Sequence, residues 1–198
     1  RAGEEARRAI VNYCAYESKI PYEHSEPVWC TNETIRWLDQ HADKPFFLWC
    51  SYDAPHPPFR TPHDNPFKYL PDEIDLAQIP TAAPELRRRA ALRQGSARLG
   101  VENVWNIEVS GEQKFREALA HYHGMISMVD AGVGKIVQFL EQKGLLENTI
   151  IIFTSDHGDF AGEWGCLGKN SMTHWECIQR IPMIWYWKGK FGTEMTHS

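Results

Sequence analysis

The stretch IIIFTSDHGDFAGEWGCLGKN, residues 150–170, joins an apolar run to a group of polar and charged side chains. Its first four residues are all apolar, which is typical of a strand covered on both faces. The run leads into Asp156 and His157, and Lys169 follows within the same stretch. An Asp-His-Gly turn after a strand either caps the next turn or presents a carboxylate and an imidazole for chemistry. Both interpretations remain open from this stretch alone.

Two other apolar runs resemble the run IIIFTS at residues 150–155. They are FFLWCS at residues 46–51 and IPMIWYW at residues 181–187, and each predicts a short buried strand. We expect the three runs to lie in one sheet, because strand patterns alternate here with a long helical pattern. This alternation predicts an α/β fold with a mostly parallel central sheet flanked by helices.

Three segments have helical patterns. Apolar residues recur every three or four positions from about residue 112 to 143, which predicts a long helix that ends at Gly144. A shorter helix is predicted from Thr31, as its N-cap, to about His41. A basic, exposed helix is predicted at residues 84–98. The apolar stripe of the long helix indicates core packing, and we expect it to lie against the sheet.

Polar residues follow two of the predicted strands. The run FFLWCS leads into a proline-rich loop that contains His56, and the run IIIFTS leads into Asp156 and His157. Ligands of open α/β sheets bind beyond the carboxyl ends of the strands. We therefore expect these three side chains, together with Lys169, to point into one cleft. Each alone has a plainer interpretation, because a histidine among prolines can simply hold its loop and a lone lysine is usually a surface residue.

The side chains of this predicted cleft have complementary chemistry. The Asp156 carboxylate is a hard oxygen ligand that suits a divalent cation. The Lys169 ammonium can hold an anionic oxygen, and His56 can protonate a leaving oxygen near neutral pH. A metal, a fixed positive charge and an acid around one point suit displacement at a tetrahedral anionic ester, either a sulfate or a phosphate.

Composition excludes several classes of function. The chain has 198 residues, of which 42% are hydrophobic and 24% charged, as is ordinary for a globular protein. Its net charge of −5 gives no general attraction to nucleic acid, and no apolar run approaches the roughly 18 residues of a membrane span. Its five cysteines form no CxxC pair, so we expect mostly reduced thiols rather than a disulfide scaffold. The expected partner is a small anionic ester, and the pattern indicates neither oligomeric state nor compartment.

Two motifs resemble landmarks of the sulfatase family in the alkaline phosphatase superfamily. TSDHGDFAGEWGCLGKNSMTHWECIQRIPMIW, residues 154–185, is similar to a strand ending in Ser-Asp-His-Gly, then a lysine, then Arg-(Val/Ile)-Pro before another strand. KPFFLWCSYDAPHPPF, residues 44–59, is similar to a strand that runs into Pro-His-x-Pro-Phe. The resemblance spans about residues 27–187 and implies hydrolysis of sulfate esters. The alternatives are a phosphonate monoester or phosphodiester hydrolase of the same superfamily, and a non-catalytic remnant that binds anions.

The resemblance also implies roles for five side chains. Asp156 and His157 would be metal ligands. Lys169 would grip the sulfate oxygens, and His56 would lie near the leaving oxygen. His174 would line the substrate cleft. The family implies calcium as the metal, whereas the imidazole of His157 better suits manganese, zinc or iron.

One family feature is missing from the chain. Sulfatases use a formylglycine made from the first residue of Cys-x-(Pro/Ala)-x-Arg or Ser-x-Pro-x-Arg, and no cysteine or serine here has an arginine four residues later. We therefore expect residues 1–198 to be an internal part of a sulfatase-type catalytic domain, without the N-terminal nucleophile region and the C-terminal subdomain. The formylglycine is then expected in the missing segment, and the chain alone should be inactive.

Overall fold

The fold is α/β over the residues that the computed structural model describes, which are 15–76, 107, 111–169 and 175–192. Within them the elements in chain order are β1 (Tyr16–Ser18), α1 (Glu26–His41), β2 (Arg60–Pro62), α2 (Glu112–Gln142), β3 (Ile151–Thr154), α3 (Glu176–Gln179) and β4 (Met183–Tyr186). Single 3-10 turns lie at Tyr22–His24, Pro71–Glu73, Leu146–Asn148 and Glu163–Gly165. The predicted helix at residues 84–98 lies outside the described residues.

Helix α2 confirms the prediction from helical spacing, because it spans Glu112–Gln142. Its apolar side chains pack inward, and Phe115 and Leu119 are fully buried. Gly144 follows the helix with φ 68°, the left-handed conformation that commonly ends a helix. Neither α2 nor another helix in the described part of the chain is long and apolar enough to cross a membrane.

Helix α1 begins earlier than the sequence predicted, because it spans Glu26–His41. The predicted N-cap is wrong, since Thr31 lies inside the helix and donates its hydroxyl to the Pro27 carbonyl at 2.8 Å. Ser25 occupies the N-cap position, and Pro27 lies in the first turn, where its missing N–H leaves no hydrogen bond unmade. The predicted end at His41 is correct.

Helices α1 and α2 meet in a close contact at Gly132. Any Cβ at this position would overlap Oγ1 of Thr31 and would lie 2.9 Å from the hydroxyl of Tyr52. Thr31 and Tyr52 share a hydrogen bond of 2.9 Å. Burial raises the pKa of Tyr52, so the phenol stays protonated in this contact. The two helices and the chain at Tyr52 therefore meet where only a hydrogen atom fits.

The strands form two separate two-stranded sheets among the described residues. β1 pairs with β2 in parallel, with Tyr16 opposite Arg60, whereas β3 and β4 are antiparallel, with Ile151 opposite Tyr186. The predicted runs IIIFTS and IPMIWYW thus share a sheet, but not in the predicted parallel direction. The described part of their connection is a loop and the short helix α3, with no long crossover helix that would bring the chain back in parallel. The described residues therefore do not show a parallel central sheet flanked by helices.

The predicted strand at residues 46–51 has no regular secondary structure and pairs with no strand in the described ranges. The prediction that it shares a sheet with β3 is therefore wrong for these residues. Its side chains alternate as in a strand: Phe46 and Leu48 are half-buried, whereas Phe47 and Trp49 are 87% and 78% exposed. The inner side chains pack near the C-terminal ends of α1 and α2, and this packing rather than backbone pairing holds the segment.

The pair β3–β4 is also exposed despite its apolar composition. Ile152, Met183 and Trp185 are each about half exposed, and exposed residues occur on both faces of both strands. Apolar residues on both faces are typical of a strand that is covered on both sides. The sequence pattern and the exposure of these strands therefore disagree.

The main core joins three parts of the chain. Ala54 and Phe59 come from the proline-rich loop, Phe115 and Leu119 from α2, and Leu167 from the segment after β3. Phe59, Phe115 and Leu167 have no exposed surface. The two loops that contain the predicted site residues are therefore both attached to α2.

Replacing Gly132 by alanine should destabilise the fold. The added methyl group overlaps Thr31 and crowds Tyr52, and overpacking of this kind typically costs about 1–3 kcal/mol. Gly134→Ala is the matched control, because a Cβ there meets no atom within 4 Å and the helix gains roughly 0.5–1 kcal/mol from the better helix former. Urea unfolding followed by circular dichroism measures both variants. Equal stabilities for the two variants would contradict the close contact.

Candidate active site

His157 lies at the centre of the polar cluster that follows β3. Its Nδ1 lies 2.7 Å from the carbonyl oxygen of Gly158, and its Nε2 lies 2.6 Å from Nζ of Lys169. A carbonyl oxygen only accepts and an ammonium only donates, so Nδ1 bears the proton and Nε2 presents its lone pair to Lys169. The neutral Nδ1–H tautomer satisfies both contacts.

Asp156 lies beside His157 and is largely exposed, with 82% of its side chain accessible. Its Oδ1 accepts the backbone N–H of His157 at 2.9 Å, and its Oδ2 lies 3.4 Å from Nε2 of His157. One carboxylate oxygen, one imidazole nitrogen and the Lys169 ammonium are therefore grouped at the end of β3. The structure brings these three predicted site residues together.

Asp156 and His157 fit one part of a metal site. Metal-binding histidines donate one ring N–H to a carbonyl and coordinate through the other nitrogen, and His157 makes such a bond to Gly158. Its Nε2 lone pair beside a carboxylate oxygen suits a borderline divalent cation. Within the described ranges, no group of three or more His, Cys, Asp and Glu side chains could hold a metal ion. The metal assignment therefore remains a prediction, and further ligands would have to come from other residues.

Gly158 fixes the Asp-His turn against helix α3. Its N–H donates to the Ile178 carbonyl at 2.7 Å. A Cβ on Gly158 would overlap the carbonyl oxygen of Cys177, so only glycine lets the two backbones approach this closely. This contact positions Asp156 and His157, which directly precede it.

Asp159 is the residue of the cluster that the sequence analysis missed. Its Oδ1 accepts the N–H groups of Ala161 at 2.7 Å and Gly168 at 3.0 Å, and so closes the loop between His157 and Lys169. Burial raises the pKa of Asp159, although these two donors and the charge of Lys169 oppose the rise. An aspartate whose carboxylate accepts the N–H two residues later forms an Asx turn. The sequence Asp-Phe-Ala-Gly at residues 159–162 is the signal that could have revealed this turn.

The loop from Asp159 to Lys169 is anchored at both sides of the site. Leu167 is buried in the main core against α2, and Phe160 and Cys166 are buried in a second cluster with Ile178 of α3. Lys169 itself is exposed. Its ammonium therefore projects from a loop whose backbone is held by buried neighbours.

His56 lies in the other loop that is attached to the main core. Ala54 and Phe59, on either side of it, are buried in that core. The Nδ1 of His56 lies 2.7 Å from the carbonyl oxygen of Pro57. The backbone N–H of His56 donates to the Asp53 carbonyl at 2.9 Å. The carbonyl makes Nδ1 the donor, which leaves Nε2 to exchange a proton with a ligand.

An open cavity of about 290 Å3 lies beside His56. Its lining includes Glu26 and Arg60, which have opposite charges, and the apolar surfaces of Trp29 and Met125. Burial raises the pKa of Glu26, and hydrogen bonds from the backbone oppose the rise. A cavity with apolar walls and charged side chains of both signs can accept a polar organic group next to His56.

The structure does not join all of the predicted site residues by direct contact. Asp156, His157 and Lys169 form one cluster, but no described hydrogen bond or ion pair links His56 to it. Both loops are attached to the same core, and the single cleft stays a prediction. His174 lies outside the described residues, so its position in the cleft stays a prediction.

Comparison with known proteins identifies relatives of the chain. The family model described as Sulfatase matches residues 7–198. The multifunctional alkaline phosphatase superfamily protein PehA of Trinickia caryophylli is 33% identical over 163 residues, which cover 77% of this chain and 31% of that protein. Iduronate 2-sulfatase of Mus musculus is 31% identical over 170 residues, which cover 81% of this chain and 30% of that enzyme.

A solved structure has a similar fold. The phosphonate monoester hydrolase of Agrobacterium radiobacter is 26% identical, with a TM-score of 0.68 over 84% of this chain and 34% of that enzyme. The chain therefore spans about a third of the length of the relatives it matches.

Removing the Asp159 carboxylate should loosen the loop that leads to Lys169. In Asp159→Ala the N–H groups of Ala161 and Gly168 lose their acceptor, which typically costs on the order of 1–3 kcal/mol for each buried group. Amide hydrogen exchange should accelerate at these two residues but not in α2. Asp159→Asn is the matched control, because its amide oxygen can still accept both bonds. Unchanged protection of the two amides in Asp159→Ala would show that the carboxylate does not hold the loop.

Proposed function

Because this chain belongs to the sulfatase family, we propose that the whole protein hydrolyses small anionic esters, with sulfate esters as its preferred substrates. The main support is the cluster at the end of β3, where Nε2 of His157 lies 2.6 Å from Nζ of Lys169 and 3.4 Å from Oδ2 of Asp156. A positive charge beside potential metal ligands suits an ester whose transferred group is a tetrahedral anion.

Lys169 is proposed to bind the anionic oxygens of the transferred group. These oxygens are negatively charged throughout the reaction, and a fixed ammonium in a closed cleft stabilises them more than water does. Asp159 closes the loop that precedes Lys169, and the buried Leu167 anchors that loop in the main core. The positive charge is therefore largely positioned before substrate binds, which lowers the cost of ordering it in the transition state.

Asp156 and His157 are proposed to hold a divalent cation through Oδ2 and Nε2. Such a cation, when bound, would polarise the ester oxygens as a Lewis acid. The hydrogen bond from Nδ1 of His157 to the Gly158 carbonyl favours the tautomer in which Nε2 has the lone pair for this role. Calcium is the expectation from the family, and the imidazole nitrogen favours manganese, zinc or iron instead.

His56 is proposed to protonate the leaving oxygen through Nε2, because its Nδ1 is committed to Pro57. The adjoining cavity, lined by Trp29 and Arg60, would then accept the leaving alcohol. This role requires the loops of His56 and Lys169 to face one cleft, a geometry supported by their attachment to the same core. His174 is proposed to line the same cleft.

The nucleophile is proposed to be a formylglycine outside this chain. None of the cysteines or serines here has an arginine four residues later, and the chain spans about a third of its relatives. Residues 1–198 would then be an internal part of the catalytic domain, between a nucleophile region and a C-terminal subdomain.

The central sheet is proposed to be larger in the whole protein. The apolar faces of β3 and β4 are exposed, and residues 46–51 have the side-chain alternation of a strand without a described partner. Further strands and helices would cover these surfaces and give the mostly parallel, helix-flanked sheet that the sequence pattern predicts.

Phosphonate monoesters and phosphodiesters are the alternative substrates. The observation that favours them is the imidazole at position 157, together with the likeness to a phosphonate monoester hydrolase. A phosphoryl centre offers the same kind of tetrahedral anion to Lys169. A protein that only binds anions would keep the cluster without turnover.

Relative rates should separate these functions. We expect the full-length protein, supplied with divalent metal, to turn over an aryl sulfate with kcat/KM at least about tenfold above that for a phosphodiester and a phosphonate monoester with the same leaving group, a difference of about 1.4 kcal/mol in transition-state stabilisation. A reversed order would establish the phosphonate or phosphodiester alternative. No turnover of any ester would indicate an anion-binding protein.

Lys169→Ala in the full-length protein should lower kcat/KM on the preferred ester by on the order of 10² to 10³ while the fold stays intact, because loss of one such electrostatic donor has this effect. Asp156→Ala should be at least as damaging, because it also removes a proposed metal ligand. Lys135→Ala is the matched control, since Lys135 is an exposed lysine on α2. Assays use excess metal, and thermal melts confirm folding. Near wild-type activity of folded Lys169→Ala would rule out its proposed role.

A further inference from the structure

Two cysteines from different elements lie next to each other, away from the candidate active site. Sγ of Cys30 on α1 is 3.7 Å from Sγ of Cys50 in the segment at residues 46–51. Cys30 is buried and Cys50 is half-buried, and both are free thiols. A disulfide bond is about 2.05 Å long, so the sulfurs would have to approach by roughly 1.7 Å.

Hydrogen bonds between helix α1 and the chain at residues 50–52 hold the two sulfur atoms near each other. Sγ of Cys30 donates to the Ser51 carbonyl at 3.3 Å, and the Thr34 hydroxyl donates to Sγ of Cys50 at 3.2 Å. Thr31, one residue after Cys30, bonds Tyr52 at 2.9 Å. Because these hydrogen bonds join the helix to the chain at residues 50–52, the sulfurs stay within reach of each other.

We propose that Cys30 and Cys50 are a disulfide-forming pair that closes when the protein meets a small disulfide oxidant such as oxidised glutathione. The bond would tie the segment that precedes the His56 loop to helix α1. In the described residues this segment has no backbone pairing of its own. A covalent link at Cys50 would therefore restrict a segment that side-chain packing and a few side-chain hydrogen bonds now hold.

The reaction balances through two exchanges. The thiolate of Cys50, the more exposed cysteine, attacks one sulfur of oxidised glutathione, and the glutathione S–S bond breaks to release one glutathione thiolate, which takes up a proton. The thiolate of Cys30 then attacks Sγ of Cys50 and releases the second glutathione. In total the two cysteines lose two electrons and two protons, and one oxidised glutathione becomes two reduced ones.

The order of these steps agrees with the environment of Cys30. Burial, followed by interaction with the neighbouring Cys50, raises the pKa of Cys30 to about 12. Cys30 is therefore a poor first nucleophile. Once Cys50 is in a mixed disulfide, Cys30 no longer lies beside a second ionisable thiol, and the contribution of Cys50 to the pKa of Cys30 is removed.

Peptide mapping of the full chain tests the pair directly. Incubation with glutathione buffers of increasing oxidation is followed by acid quenching, blocking of free thiols and tryptic digestion without reductant. Cleavage after Arg36 separates the two cysteines into peptides 20–36 and 37–60, and the other three cysteines lie in three further peptides. The expected product is peptide 20–36 linked to peptide 37–60, with the mass of two hydrogens lost, and dithiothreitol should separate it.

Matched variants and the other cysteines provide the controls. Cys30→Ser should leave Cys50 as a glutathione adduct, and Cys50→Ser should leave Cys30 largely unmodified because it is buried. The unaltered chain gives the deciding result, so a variant that misfolds does not obscure it. In the unaltered chain, three results would each overturn the proposal. They are a lasting glutathione adduct on Cys50, a disulfide from either cysteine to Cys14, Cys166 or Cys177, and no disulfide at all.

Discussion

The close contact at Gly132 is the constraint on which the arrangement of the described chain depends. Helix α1 reaches α2 there through Thr31, and Tyr52 reaches the same point from the segment before the proline-rich loop. The loop that contains His56 begins two residues after Tyr52, so its starting point is set where the helices cross. A side chain larger than hydrogen at this position would move both helices and the loop together, because packed interiors do not yield locally.

The second loop is positioned by different means. Gly158 lets the backbone of α3 approach the Asp-His turn, and Asp159 supplies one acceptor to two N–H groups on opposite sides of the loop. Leu167 then anchors the end of the loop in the core against α2. The charged ends of Asp156 and Lys169 are exposed, whereas the groups that place them are largely removed from water. The exposed charged groups are therefore held in position by a backbone that buried neighbours fix.

Sequence patterns predicted some of these features and not others, for identifiable reasons. The long apolar stripe and Gly144 were sufficient to predict the span of α2, because both signals are local in sequence. The start of α1 was placed too late because Thr31 looked like a cap, although its hydroxyl bonds back to Pro27 within the helix. The apolar run at residues 46–51 predicted a strand in one sheet with the other two runs, but it pairs with no described strand, since pairing depends on residues distant in sequence. Asp159 was overlooked because its role appears only when Gly168, nine residues later, folds back onto it.

The exposed strands have a practical meaning for handling this polypeptide. β3 and β4 form a two-stranded ribbon with apolar residues on both faces, and Phe47 and Trp49 are exposed on a segment that pairs with no described strand. Free strand edges with apolar side chains act as templates for pairing with other chains. Purified on its own, the polypeptide is therefore prone to concentration-dependent self-association through these edges. Charged substitutions at Phe47 and Trp49 would favour colloidal stability, since both side chains already face solvent.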